Sequence, residues 1–158
     1  MVVITTAQLN STRKKLAHDY PQFSFVESTV SHWSPADQTI YYHSLKTTSD
    51  LSTLFHEFGH ANVGHTGFDQ DITLLRMERE AWIAAVDVAA HYGHIIDEDT
   101  VENAIDSYRN WLYARSRCPA CHNPGIQNKT SSAYTCPLCN TNWRANDARQ
   151  CGLKRYMT

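Results

Sequence analysis

A chain of 158 residues, 42% hydrophobic and 11% aromatic, is long enough for one compact domain with a small appendage and apolar enough to build a core. Its net charge of -2 conceals an asymmetry: residues 1–108 hold 6 Lys/Arg against 15 Asp/Glu, whereas residues 109–158 hold 8 Lys/Arg against a single acid, Asp147. No stretch approaches the roughly 20 apolar residues of a membrane span, and Met1–Asn10 lacks the regions of a secretory signal, so a cytoplasmic protein is expected.

Taken in chain order, Thr6–Tyr20 has helical spacing, with Leu9, the stem of Arg13, Leu16 and Tyr20 on one face and Pro21 as the stop. Phe23–Val26 alternates as a strand, Ser34-Pro35-Ala36-Asp37 is turn chemistry, and Gln38–Tyr42 is β-branched and aromatic enough for a second strand. Ser49 or Asp50 can cap a helix that carries Leu51, Leu54, Phe55 and Phe58 and ends near Gly64 or Gly67. A helix from about Asp71 to Tyr92 keeps Leu74, Met77, Ala81, Ala84, Ala85 and Val88 in register, and Gly93 stops it. Another begins after Thr100, turns Val101, Ile105, Tyr108 and Leu112 inward, and runs to about Arg117.

Within the central helix stands His56-Glu57-Phe58-Gly59-His60, an H-E-x-x-H sequence. Histidines at i and i+4 lie one above the other on a helical face, so both imidazoles can reach one metal ion. The intervening Glu57 then projects where it can take a proton from a water on that ion, the role of a general base. A catalytic zinc takes three protein ligands, so a third must come from another element. At about 100° per residue Glu78 falls in the apolar sector among Leu74, Ala81, Trp82 and Ala85, where a carboxylate is costly unless paired or metal-bound. Glu80 sits on the flank in a row with Arg76, Ala84 and Asp87 and is the alternative ligand. A metzincin would place glycine and histidine where Val63 and Thr66 stand; His65 is one residue early and reads as a helix cap or surface histidine.

H-E-F-G-H-A-N-V-G-H followed by M-E-R-E-A-W-I-A-A resembles the zincin metallopeptidases of the ImmA/IrrE type over roughly residues 37–92. Those carry H-E-x-G-H-A-x-x-G-H and then an E-x-E-A-x-x-x-A helix; in the related HtpX-type peptidases the ligand glutamate stands three residues before the alanine, here Glu78 before Ala81. Trp82 departs from the Asn or Asp usual after that alanine. The resemblance implies a cytosolic zinc endopeptidase acting on a small set of partner proteins, often transcriptional repressors. Stabilisation of the oxyanion would fall to His91, His94, Tyr108 or Tyr113, and an extended peptide would lie along an edge strand, for which Gln38–Tyr42 is the candidate.

Cys118-Pro119-Ala120-Cys121 and Cys136-Pro137-Leu138-Cys139 form two C-P-x-C knuckles 14 residues apart, the spacing of a structural zinc ribbon. So small a segment needs the metal to fold. Arg115, Arg117, Lys129, Arg144, Arg149, Lys154 and Arg155 surround it, interleaved with Tyr134, Trp143 and Tyr156. That mixture suits nucleic acid, although Tyr134 and Trp143 also suit a ribbon core and the basic tail could fold back on acidic residues of its own chain.

The expected fold is α+β: a zincin-like core over residues 1–117, three main helices beside a small sheet, then a zinc-ribbon module over 118–158. Two zinc ions are expected, one catalytic on His56, His60 and Glu78 and one structural on Cys118, Cys121, Cys136 and Cys139. The partners expected are a protein or peptide substrate and nucleic acid at the basic C-terminal region, with no membrane. Two other functions stay open: a SprT-like protease acting on DNA-bound proteins, which rests on architecture rather than on the ligand motif, and a non-catalytic adaptor that binds nucleic acid or protein through the ribbon.

Overall fold

A computed structural model describes residues 4–148 and 151–158; Arg149, counted above among the basic side chains, lies outside them. The order of elements is α1 (Thr6–Asp19), β1 (Ser24–Glu27), β2 (His32–Ser34), β3 (Thr39–Tyr42), α2 (Thr48–Val63), α3 (Asp71–His91), α4 (Glu98–Ser116), β4 (Ile126–Gln127), β5 (Tyr134–Thr135), β6 (Asn142–Ala145) and β7 (Arg155–Met157). This is an α+β chain with four helices and two small sheets among the described residues. None of those helices is long and apolar enough to cross a membrane. The chain divides into two compact units, one of residues up to Thr66 with Met77–Glu98, the other of Gly67–Arg76 with Asp99–Thr158.

In the first unit, α1 starts on a capping box in which Thr5 and Gln8 satisfy each other's free amides. Leu9 and Leu16, a helical repeat apart, are its buried residues. Tyr20 meets Phe58 edge-on at 4.6 Å, and Phe23 bridges Phe58 at 6.0 Å to Trp33 at 5.5 Å. The sheet has the order β1-β3-β2, with β1 parallel to β3 and β2 antiparallel to it, so Ile40 lies between Phe25 and Trp33. Strand β2 is the element the sequence pattern does not reveal, being three residues long and running straight into the Ser34-Pro35 turn. Its presence corrects one expectation. Gln38–Tyr42 is not an edge: Thr39–Tyr42 is hydrogen-bonded on both sides, and the exposed edges belong to β1 and β2.

The cap of α2 lies two residues before Ser49 and three before Asp50, the caps expected. Thr47 is the N-cap, and Asp50 at N3 closes a capping box by accepting from the Thr47 amide at 2.8 Å. The helix ends at Gly64, which takes the left-handed conformation (φ 82°) that glycine enters without steric cost.

The second unit is organised around two things, a cysteine cluster and a buried carboxylate. Its sheet runs β4-β5-β6-β7, every pair antiparallel. Cys118, Tyr134, Cys136 and Trp143 form its core, with Tyr134 and Trp143 stacked at 5.4 Å and 10°. These two aromatics are therefore interior to this unit rather than a binding platform. Asp71, at the start of α3, accepts from Arg115 Nε at 2.7 Å and from the Tyr134 hydroxyl at 2.6 Å, while its own amide donates to Gln127 Oε1 at 2.6 Å. Burial, followed by the Asp71 carboxylate, drives the Tyr134 hydroxyl above its ordinary pKa. Arg115 also donates to the Asn146 carbonyl, lies 4.7 Å over the Trp111 ring, and offers its own carbonyl to Trp143 Nε1 at 2.9 Å. These bonds tie α4 to the cysteine segment within this unit.

Candidate metal centres

His56, His60 and Glu78 come together in the first unit, buried at 8%, 9% and 6% exposure. Their presenting atoms are close: Nε2 of His56 lies 3.3 Å from Nε2 of His60, and Glu78 Oε2 lies 3.0 Å from the former and 3.5 Å from the latter. Tetrahedral zinc with ligands at about 2.0–2.1 Å separates those ligands by roughly 3.3 Å, so the spacing fits such an ion. Glu78 Oε2 takes no hydrogen bond despite these approaches. Burial alone would push the Glu78 carboxyl up, but the short contacts with the two imidazoles outweigh it and hold the group at about 2. An ionised carboxylate facing two ring nitrogens in a dry site is the donor set of a divalent transition metal.

Helix packing produces this convergence. A Cβ on Gly59 would fall 2.2 Å from the carbonyl oxygen of Ala81, so glycine there is what lets α2 and α3 approach backbone to backbone. Ala81 is one turn after Glu78, and the close approach delivers that carboxylate to the histidines.

Glu57 turns towards β2, where its Oε2 accepts the Trp33 amide at 2.9 Å. Desolvation is the largest influence on it and leaves its pKa raised, against the lowering effect of His56 and His60. Glu80 is not brought to the histidine pair; it is 47% exposed and reaches His65 Nε2 at 3.1 Å. His65 is buried at 9% exposure, with Nδ1 2.8 Å from Nδ1 of His60. The sequence reading as a cap or surface histidine misses this, because the position depends on the reversal at Gly64. The histidine that follows a C-terminal glycine was the available signal.

Among the side chains considered for the oxyanion, His94 bonds Ser52 Oγ at 2.8 Å and stacks on Phe55, His91 Nδ1 faces its own helix's Asp87 carbonyl at 2.8 Å, and Tyr113 is engaged by Arg117.

Cys118, Cys121, Cys136 and Cys139 form the second group, with all four sulfurs within 4.8 Å of one another. The pairs Cys118–Cys139 and Cys121–Cys136 are 3.6 and 3.4 Å apart, near the roughly 3.8 Å that Zn–S bonds of about 2.3 Å impose in a tetrahedron. Both knuckles share one backbone pattern. Cys118 N–H donates to Asn123 O and His122 N–H to Cys118 O, each at 2.9 Å; Cys136 N–H donates to Thr141 O and Asn140 N–H to Cys136 O, at 2.9 and 3.0 Å. His122 (φ 62°) and Asn140 (φ 58°) occupy the equivalent left-handed turn position. The Asn123 amide lowers the Cys121 thiol pKa and the Thr141 hydroxyl lowers that of Cys139, whereas against the backbone amide of Cys139 burial and the neighbouring sulfurs push the Cys136 thiol up to about 11.

Tyr113, Arg117, His122 and Arg155 line a crevice of about 350 Å³ in the second unit, together with Ala114 and Leu153. Among the described residues no carboxylate lines it. Arg117 donates to the His122 carbonyl at 2.6 Å and Arg155 to the Arg117 carbonyl at 2.5 Å, so both charges rest on neutral acceptors.

Both groups could hold a metal ion, and their donor chemistry is consistent with zinc. Comparison of the chain with family models, with curated proteins and with solved structures finds no match in any of the three.

Proposed function

We propose that this protein is a zinc-dependent endopeptidase of the ImmA/IrrE-like zincin type, with a cytoplasmic site built from His56, His60, Glu78 and Glu57 and with a structural zinc on its four paired cysteines. The observation that carries this reading is the convergence of two imidazoles and an ionised, buried carboxylate beside a desolvated Glu57. A divalent cation seated there would lower the pKa of a water towards about 7 and polarise a scissile carbonyl. Glu57 is the general base: it takes the proton of the attacking water and returns it to the leaving amine. Desolvation strengthens it as a base, and the Trp33 amide fixes where its carboxylate points. Edge strand β2, which carries Trp33, offers backbone groups on which an extended peptide could be laid. A regulatory role on a specific protein, such as a transcriptional repressor, remains the preferred substrate class. The acid-free, arginine-lined crevice supports a second reading, contact with nucleic acid by the second unit, either beside proteolysis as in a SprT-like protease or instead of it in an adaptor.

Glu57→Gln tests the reading. With helix-turn-helix repressors and an unfolded protein such as casein as substrates, with and without single-stranded DNA, wild type should cleave and the variant should lose about 10²–10⁴-fold in rate at unchanged zinc content. Equal cleavage by both forms would remove Glu57 as the base; cleavage by neither would favour the adaptor.

A further inference from the structure

Gly64 folds the chain back so that both its own amide and that of His65 reach the His60 carbonyl, at 3.1 and 3.0 Å. The His65 ring is thereby laid against the last turn of α2, and the Trp33 indole donates to the His65 carbonyl at 2.8 Å from the other side. A line of contacts results: Glu80 Oε2 to His65 Nε2 at 3.1 Å, then His65 Nδ1 to His60 Nδ1 at 2.8 Å, with His60 Nε2 at the far end facing Glu78 and His56.

Proton counting gives this line a direction. A carboxylate only accepts, so His65 Nε2 carries hydrogen towards Glu80. Neutral His65 then presents a bare Nδ1, and the short contact requires the hydrogen on His60 Nδ1. His60 Nε2 is left bare, with its lone pair aimed where His56 Nε2 and Glu78 Oε2 also point. For a neutral His65 the reverse order would set lone pair against lone pair at Glu80 and put a hydrogen inside the proposed metal position. His56 has no such support: its Nδ1 is buried without a partner, and the ring is held by stacking on Trp82 at 4.3 Å and 20°.

We propose that His65 and Glu80 are positioning residues that lock His60 in its Nδ1–H tautomer and so raise its affinity for the metal, a role that rests on the peptidase-site reading above. The two carboxylates of Met77-Glu78-Arg79-Glu80 then serve one ion, Glu78 directly and Glu80 through two rings. Outer hydrogen bonds to a ligand histidine fix its orientation and strengthen it as a donor, and their loss typically costs 10–100-fold in metal affinity.

The test has two readouts on full-length protein. In ¹⁵N-histidine-labelled protein with the cysteine site loaded and the histidine site empty, long-range proton–nitrogen correlations should show His60 as the Nδ1–H tautomer in wild type and in Glu80→Gln, whose amide oxygen still accepts, and a mixture in Glu80→Ala. Zinc affinity, measured by chelator competition with the cysteine site loaded, should fall about 10–100-fold in Glu80→Ala and stay near wild type in Glu80→Gln. Because Glu80 is 47% exposed on its helix flank, neither variant should alter the thermal unfolding midpoint measured with the histidine site empty. Glu80→Ala with wild-type tautomer and affinity would overturn the relay. Wild type that binds no metal on the histidines would sink the peptidase site instead, while the metal-free tautomer would still decide the relay.

Discussion

Replacing Asp71 with alanine should destabilise the second unit by about 3–5 kcal/mol, the usual cost of removing one partner from a buried ion pair. The side chains of Asp71 and Arg115 are 6% and 10% exposed, so water cannot readily take the place of the lost carboxylate. Arg115 Nε and the Tyr134 hydroxyl would lose their shared acceptor together, and each unsatisfied buried donor carries its own desolvation penalty. Urea unfolding by circular dichroism, with reactivity of the paired cysteines towards a thiol reagent as a local probe, measures the effect. Loss of less than about 1 kcal/mol would mean that the network does not organise this unit.

Gly59→Ala should be nearly as damaging, by a different physical route. The added methyl would meet the Ala81 carbonyl oxygen at 2.2 Å, and backbone cannot turn aside as a side chain can. Helices α2 and α3 would have to part by about 1 Å to restore van der Waals separation. Overpacking of this kind costs about 1–3 kcal/mol or more. The chemical consequence is larger, because Glu78 lies one turn from Ala81 and would retreat from the histidines. The expected result is a lowered thermal midpoint and loss of the zinc on His56, His60 and Glu78, with the cysteine zinc retained. Unchanged stability and zinc content would show that the close approach is not needed.

How much of this was legible in the sequence depends on the range of the interactions involved. Local periodicity carries the helices: Leu9 and Leu16, or Ala81, Ala85 and Val88, declare a buried face through spacing alone, and Glu78 stands out because a carboxylate interrupts that face. The cysteine knuckles are local too, a pair of five-residue turns that recur with the same hydrogen bonds. What escapes is set by distance along the chain. Arg115 reads as one more basic side chain until Asp71, 44 residues earlier, is seen to bury it. His65 lies beyond the end of α2, where helical periodicity no longer places it, and only the left-handed turn at Gly64 returns it to His60. The strand order is hidden for a similar reason. Parallel pairing of β1 with β3 puts Thr39–Tyr42 in the middle of its sheet, and three-residue β2 becomes the edge beside Glu57 without enough length to announce itself.

The central claim is that the His56–His60–Glu78 group seats a metal ion, and zinc analysis of purified wild type and Glu78→Ala tests it most directly. Two zinc per chain in the wild type and one in a variant whose fold is otherwise unchanged is the result expected. The same zinc content in both proteins would contradict the assignment of Glu78 and, with it, the site on which the proposed chemistry depends.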